Sequence, residues 1–315
     1  MKQRSLSEIA LWLQERDDFT ILTHRRPDGD TIGCAAALCR GLRQLGKTAS
    51  ILENPQFTEK YRPYLRDLTA EQLGGHVISV DVAAETMFPF SYEGQQPVEL
   101  LIDHHGSNTG FAPEGYVDAS AAACGEIILA LLQELGVQPD PVIGEALYLA
   151  VSTDTGCFRY SNVTANTLRT AATCKEWGAD TFSINRVMFM TKRMARLQLE
   201  AQLTQNTEFF ADGKVAISAI TAEMRRELGI TEDDIDDISG FCREIAGVEI
   251  GVMLRNEPDG AKLSVRTSPD YDACAICRLL GGGGHKAAAG ATVKGTLDEA
   301  KAAVLKAIET CGVKL

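Results

Sequence analysis

Apolar positions along this chain alternate between two rhythms. The run FTILT, Phe19 to Thr23, is short, apolar and rich in β-branched residues, which predicts a strand. After Gly33, Cys34, Leu38, Leu42 and Leu45 fall on one face of a helix. Strand-like runs recur at Thr48 to Leu52, His76 to Val82 and Val98 to Ile102. Helical stretches follow at about Ala121 to Leu135, closed by Gly136, at Val142 to Val151, and at Thr164 to Trp177, ended by Gly178. This alternation predicts an α/β fold, a mainly parallel sheet with helices on both faces. At the N-terminus Ser5 and Glu8 have capping-box spacing, with Leu6, Ile9 and Leu13 inward.

The rhythm changes near residue 185. Ser183 to Gln205 has no Gly or Pro and reads as one long helix, with Val187, Met190, Met194 and Leu197 on one face. Its three methionines, Met188, Met190 and Met194, read as flexible core filling. Beyond it, Phe209 to Ile220, turning at Asp212-Gly213, predicts a hairpin. Glu232 to Asp237 is an acidic run, read as a solvated helix start. Val248 to Leu254 and Lys262 to Thr267, turning at Asn256 to Gly260, predict a second hairpin. A helix near Tyr271 to Leu280, the stretch GGGGHKAAAGATV and a helix from Leu297 to Cys311 complete a smaller α+β domain. The expected layout is a first domain over residues 1–185, a connecting helix over 186–206 and a second domain over 207–315.

The 315 residues suffice for two domains, and 45% are apolar, enough for a sizeable core. No apolar run approaches the length of a membrane span. The charges of MKQRSLSEIALWLQERDD are misplaced for a secretory signal, so the expected location is the cytoplasm. The nine cysteines are scattered and odd in number, which fits reduced thiols. Cys274 and Cys277 form the one C-x-x-C, and with no second pair they read as core packing rather than a zinc site. The net charge of −12 argues against a long non-specific nucleic-acid groove. A small anionic substrate is still allowed where bound cations cancel local carboxylates.

The candidate chemistry lies where apolar runs end. His24, Asp28 and Asp30 follow the first strand, Asp81 ends HVISVD, and Asp103, His104 and His105 end VELLIDHH. Asp154 follows a further apolar run. In a parallel sheet such ends face one crevice. Asp28, Asp30, Asp81 and Asp154 together carry four formal negative charges, which two divalent cations would balance. Mixed imidazole and carboxylate donors suit such ions. On a strand end, adjacent His104 and His105 would point opposite ways, so at most one would reach a given ion. Gly281 to Gly284, four glycines in a row, could present backbone N–H groups to an anion as a nest, with His285, Arg266 and Ser268 adding donors. Arg159 is a further phosphate candidate.

HRRPDGDTIG, SVDVA, IDHHGSN and STDTG resemble, in order, the four motifs of the DHH phosphoesterases, and GGGGHKAAAG resembles the glycine-rich motif of the DHHA1 domain that accompanies them. Length, layout, FRYSNVTANTLRTAA and SVRTS look most like the bifunctional oligoribonuclease and pAp phosphatase group. The resemblance implies a DHH domain followed by a DHHA1 domain. It implies one Mn²⁺ held by His24, Asp28 and Asp81 and another by Asp30, Asp81, His104 and Asp154, with Mg²⁺ as a substitute. Asp103 would orient a ligand histidine, and His105 would contact the scissile phosphate. Arg159, Arg266, Ser268, Gly282, Gly283, Gly284 and His285 would bind substrate. The implied reaction is metal-dependent hydrolysis of short RNA or 3′-phosphoadenosine 5′-phosphate (pAp) by a hydroxide that two metals activate. A cyclic-dinucleotide phosphodiesterase and a non-catalytic nucleotide sensor on the same fold are the alternatives. The expected partners are short RNA or small nucleotides, with no long nucleic acid and no membrane; a homodimer is left open. One departure is DASAAACGEI, which has fewer hydroxyls than the family's helix start.

Overall fold

The computed structural model describes residues 1–92, 95–235, 237–257 and 260–314. They form two compact units, Met1–Thr191 and Lys192–Leu315. In chain order the first unit contains β1 (Lys2–Gln3), α1 (Leu6–Gln14), β2 (Phe19–Leu22), α2 (Gly29–Gln44), β3 (Ala49–Leu52), β4 (Thr69–Ala70), β5 (His76–Val80), β6 (Leu100–Asp103), β7 (Glu114–Val117), α3 (Cys124–Glu134), α4 (Pro141–Asp154), α5 (Ala165–Glu176) and α6 (Thr181–Asn185). The capping box at Ser5 and Glu8 forms.

The seven strands lie in the order β1-β7-β6-β5-β2-β3-β4, and all pairs are parallel. Successive side chains on a strand face opposite ways. Ile21, Ile51, Ile78 and Ile102 accordingly pack with α1 to α4, while Leu22, Leu52, Val77 and Leu101 pack with Phe88, Tyr92 and Val98. From β2 the chain moves one way to β3, and from β5 it moves the other way to β6 and β7. Right-handed crossovers in opposite directions lie on opposite faces. The cover is therefore uneven: α-helices on one face, and on the other the segment holding the 3₁₀ turns Glu85–Met87 and Phe90–Tyr92. The reversal falls between β2 and β5, where open α/β sheets leave a crevice beyond the strand ends.

Two glycines bring α2 against α4. A Cβ on Gly29 would stand 2.3 Å from Thr153 Oγ1, and one on Gly33 would stand 2.2 Å from the Ala146 carbonyl oxygen. No larger residue leaves room for this approach, which sets the first turn of α2 beside the last turn of α4.

The expected uninterrupted helix over Ser183 to Gln205 is not formed. After α6 a π turn covers Arg186–Met190, residues 191–193 are extended, and α7 (Met194–Asn206) begins anew. No local breaker marks the gap; ion pairs within the second unit fix the new start. Arg193 binds Asp234 at 2.5 Å, and Arg196, nearly buried, binds Glu200 at 2.8 Å and Asp237 at 2.6 Å. With the helix broken, Val187, Met190, Met194 and Leu197 are exposed rather than filling a core; Met188 is partly buried against the first unit's core.

The second unit continues with β8 (Glu208–Phe210), β9 (Val215–Ile220), α8 (Ala222–Leu228), β10 (Ile250–Glu257), β11 (Gly260–Thr267), α9 (Ala273–Arg278), β12 (Gly283–Gly284), β13 (Ala288–Val293) and α10 (Leu297–Thr310). Both expected hairpins form, β8 with β9 and β10 with β11, in a sheet ordered β12-β13-β11-β10-β9-β8. Within the expected turn at Asn256 to Gly260, Pro258 and Asp259 lie outside the described residues, as does Asp236 of the acidic run. That run is not a solvated helix start. Asp234 is buried and accepts from Thr231 N at 2.8 Å, and a 3₁₀ stretch, Ile238–Glu244, follows. Cys274 and Cys277 belong to the core. Among the described residues no helix is long and apolar enough to cross a membrane.

Helix propensity alone favours Ala over Gly by up to about 1 kcal/mol inside a helix. Close packing predicts the opposite for Gly33→Ala, a loss of about 1–3 kcal/mol in chemical denaturation. A stabilised Gly33→Ala protein would contradict the packing of α2 on α4.

Candidate metal centre

Each acidic or imidazole group at the crevice is fixed by an identifiable backbone feature. His24 follows β2, and its carbonyl accepts from the buried Asn54 amide at 3.1 Å. Asp28 caps α2, its Oδ1 accepting from Asp30 N at 3.1 Å and Thr31 N at 3.2 Å. Asp30 is only 1% exposed and caps a different helix. Its Oδ2 accepts from Cys124 N at 2.7 Å and its Oδ1 from Gly125 N at 3.0 Å. The start of α3 has Ala123 at its cap with no side-chain bond of its own. Asp30 supplies that acceptor from α2, which explains why DASAAACGEI can dispense with a hydroxyl cap. Asp81 follows β5 in the left-handed region at φ 57°, a conformation aspartate tolerates better than most residues. Asp154 is the last residue of α4.

These groups meet. His24 Nε2 lies 3.5 Å from Asp28 Oδ1 and 3.8 Å from Asp81 Oδ2. His104 Nε2 lies 3.4 Å from Asp81 Oδ1, 3.5 Å from Asp154 Oδ2 and 3.7 Å from Asp30 Oδ2. Among the described residues three groups have donor atoms within 4.8 Å of one another: His24, Asp28 and Asp81; Asp30, His104 and Asp154; and Asp81, His104 and His105.

The expectation that His104 and His105 point opposite ways fails. The strand ends at Asp103, so pleat alternation does not govern the two residues after it. Their rings lie 4.6 Å apart, and His105 Nδ1 comes within 3.5 Å of Asp81 Oδ1. Asp103 orients His105, whose Nδ1 lies 2.8 Å from Asp103 Oδ1, rather than His104. The His104 ring is held by the Ala121 carbonyl, 3.2 Å from Nδ1. A carbonyl only accepts, so Nδ1 carries the proton and Nε2 faces the carboxylates.

Burial raises the Asp30 carboxyl to about 6, His104 opposing and Asp28 assisting. Burial raises Asp154 to about 7, Asp30 adding to it. Asp81 is pushed well up, first by burial, then by Asp30 and Asp28. Asp28 goes the other way, to about 2, because the His24 charge and hydrogen bonding outweigh burial. Asp81 Oδ1 is buried with no hydrogen-bond partner among the described residues. A carboxylate oxygen left in that state is costly unless a cation meets it. The donor set of oxygens and imidazole nitrogens fits divalent manganese or magnesium.

Arg159 is exposed, and its Nε donates to the Gly156 carbonyl at 2.6 Å within its own turn. In the second unit, Arg266 pairs in register with Ala288, next to the turn that His285 closes by exchanging backbone bonds with Ala288. Arg266 Nη2 donates to Ser239 Oγ at 2.9 Å, and the buried Ser268 Oγ has no partner among the described residues. The glycine nest does not form as expected. Gly281 N and Gly282 N are spent on the Arg278 and Cys277 carbonyls at the end of α9, and Gly283 and Gly284 pair with β13. Close approach explains two of the four glycines: a Cβ on Gly282 would stand 2.2 Å from the Gly290 carbonyl oxygen, and one on Gly284 2.6 Å from the Ala288 carbonyl oxygen.

Residues 18–151 match the model of the DHH family N-terminal domain, and residues 212–312 match the DHHA1 domain. The bifunctional oligoribonuclease and PAP phosphatase NrnA of Thermus thermophilus is 35% identical over 297 residues, 91% of this chain and 88% of that one. The chain belongs to the DHH family. An exopolyphosphatase-related protein from Bacteroides fragilis shares the fold at 21% identity and a TM-score of 0.86, over 97% of this chain and 95% of that one. Exonuclease RecJ, solved bound to manganese, shares it at 15% identity and a TM-score of 0.54, over 98% and 94%.

Sequence reading of this DHH-family chain missed the residues that hold the ligand candidates. Asn108 lies inside the quoted motif IDHHGSN, and its amide donates to Asp103 Oδ2 at 2.6 Å. Asn54 lies thirty positions from His24 with no local signal to mark it, whereas Glu126 and Asn162 lie inside the segments DASAAACGEI and FRYSNVTANTLRTAA, where nothing in their spacing shows what they hold.

The perturbed carboxyls give a pH signature. Free carboxyls ionise near 4, so the folded metal-free protein holds extra protons on Asp30 and Asp154 over about pH 4–7. Excess protons on the folded state mean that this contribution to stability falls as pH rises through that window. Asp28, with its lowered value, acts oppositely, but below about pH 4. Asp154→Asn removes part of the penalty. Its melting temperature, measured metal-free, should therefore gain on wild type from pH 4 to pH 7; a constant difference would refute the raised Asp154 carboxyl.

Proposed function

We propose that this DHH-family hydrolase cleaves phosphoester bonds in short oligoribonucleotides and in pAp, using two divalent cations, manganese first among them. One observation carries the reading: the buried Asp81 carboxylate lies between His24 and Asp28 on one side and His104 on the other. His24, Asp28 and Asp81 would hold one ion, and Asp30, Asp81, His104 and Asp154 the other. When bound, such a pair supplies Lewis acidity, charge neutralisation and a water of lowered pKa. The chain's own residues orient and bind. His105, fixed through Nδ1 by Asp103, would meet a phosphoryl oxygen with its other ring nitrogen. Arg159 would add charge to the phosphate, and Arg266, Ser268 and His285, on the segment with Gly282 to Gly284, would bind the nucleotide that does not react. The substrate choice follows the Thermus relative, whose name states both activities.

The test strips metal with EDTA, restores Mn²⁺ and offers an RNA dinucleotide, pAp, cyclic di-AMP and an RNA 24-mer in parallel, with products followed by chromatography. Activity should vanish and return with metal, and the dinucleotide and pAp should be turned over best. Asp81→Asn should lose more than about a hundredfold in kcat, beyond what an outer-sphere partner costs. Full activity without metal, or near wild-type turnover in Asp81→Asn, would sink the reading.

The second unit makes a separate contribution. Arg266→Ala and His285→Ala should raise KM for nucleotides, with kcat/KM falling roughly tenfold to a hundredfold, the worth of a lost charged contact. Bis-p-nitrophenyl phosphate has no nucleotide to hold, so its slower hydrolysis should hardly change. Equal losses on both substrates would place these residues in the reaction centre.

A further inference from the structure

Glu126 is a buried carboxylate in the first turn of α3. Its Oε1 accepts from Thr167 Oγ1 at 2.6 Å and from Ala122 N at 3.2 Å, and its Oε2 accepts from Asn166 Nδ2 at 2.6 Å. These bonds tie the strap 121–123, just before α3, to the start of α5. The Ala121 carbonyl accepts from His104 Nδ1. The Ala122 carbonyl accepts at 3.1 Å from Asn162 Nδ2, which also reaches the Asp154 carbonyl at 3.2 Å. The next two amides, Cys124 N and Gly125 N, hold Asp30. Every member of the Asp30, His104 and Asp154 group is therefore set by this strap or its continuation. The other group has different supports: Asn54 for His24, and the first turn of α2 for Asp28.

We propose that Glu126 is a positioning residue that sets the cation affinity of the Asp30, His104 and Asp154 site and leaves the His24, Asp28 and Asp81 site nearly untouched. A neutral residue without acceptors at 126 would free the Ala122 amide and let the strap shift. His104 would lose its fixed ring orientation, and Asp154 its link through Asn162. The inference rests on the two-cation reading, and its test separates the two.

Calorimetric titration with Mn²⁺ should show two binding steps in wild type. In Glu126→Ala one step should weaken about ten- to a hundredfold, as expected for loss of a group that orients ligands, while the other stays within about twofold. Glu126→Gln keeps an acceptor for Ala122 N and should restore most of the affinity. Asn166→Ala, at an exposed helix position, guards against a Glu126→Ala protein that fails to fold; it should weaken the same step by about two- to tenfold. Imidazole ¹⁵N NMR on metal-free protein at alkaline pH adds a readout independent of metal. His104 should be fixed as the Nδ1–H tautomer in wild type and mixed in Glu126→Ala, with His24 unchanged. Equal weakening of both steps, weakening of neither, or an unaltered His104 tautomer would overturn the role of Glu126. Fewer than two ions in wild type would overturn the two-cation reading instead, and the NMR result would then decide Glu126 alone.

Discussion

Burial of converging carboxylates, with their mutual repulsion added to it, is the constraint on which the first unit depends. Asp28, Asp30, Asp81 and Asp154 converge at one edge of a parallel sheet, and burial deepens the cost of charge on Asp30, Asp81 and Asp154. Three of the four respond by holding their protons far above the usual carboxylate range. Such an arrangement persists because the rest of the fold over-determines it. The sheet reverses direction between β2 and β5, so His24 and Asp81 emerge side by side. Gly29 and Gly33 let α2 approach α4, which carries Asp154 toward Asp28 and Asp30. Asp30 is further anchored by two α3 amides, so its negative end sits at the positive end of a helix.

The same economy recurs around the imidazoles. One side of each ring is committed to a fixed acceptor, the Ala121 carbonyl for His104 and the Asp103 carboxylate for His105. Orientation by a second partner fixes which nitrogen faces the carboxylates and lowers the entropy lost when a ligand is met. The supports are themselves supported: Asn108 holds Asp103, and Glu126 holds the strap that carries Ala121. The acidic and imidazole cluster is thus the inner end of a hydrogen-bond network that reaches α5.

The second unit follows a different logic. Its core is the ordinary alternation of β10 and β11, with Val252, Leu254, Leu263 and Val265 on one face. Its glycine run serves the backbone first. Two N–H groups close α9, Gly283 and Gly284 join the edge of the sheet, and side chains on Gly282 and Gly284 would collide with β13.

Local sequence sufficed for much of this. Apolar periodicity marked most of the longer strands and helices and both hairpins, because those patterns encode which face is buried. The motif residues His24, Asp28, Asp30, Asp81, Asp103, His104, His105 and Asp154 were legible because each ends an apolar run, and run ends in a parallel sheet share an edge. What the sequence could not supply was decided by contacts between distant segments. The break at Thr191 carries no Gly or Pro and depends on ion pairs from Arg193 and Arg196 to residues about forty positions away. The side-by-side placement of His104 and His105 depends on β6 ending at Asp103, before either histidine. Asp30 as the cap of α3, and Glu126 as the anchor of the strap before it, pair residues remote in the chain, and a hydrogen bond across such a distance leaves no trace in local spacing.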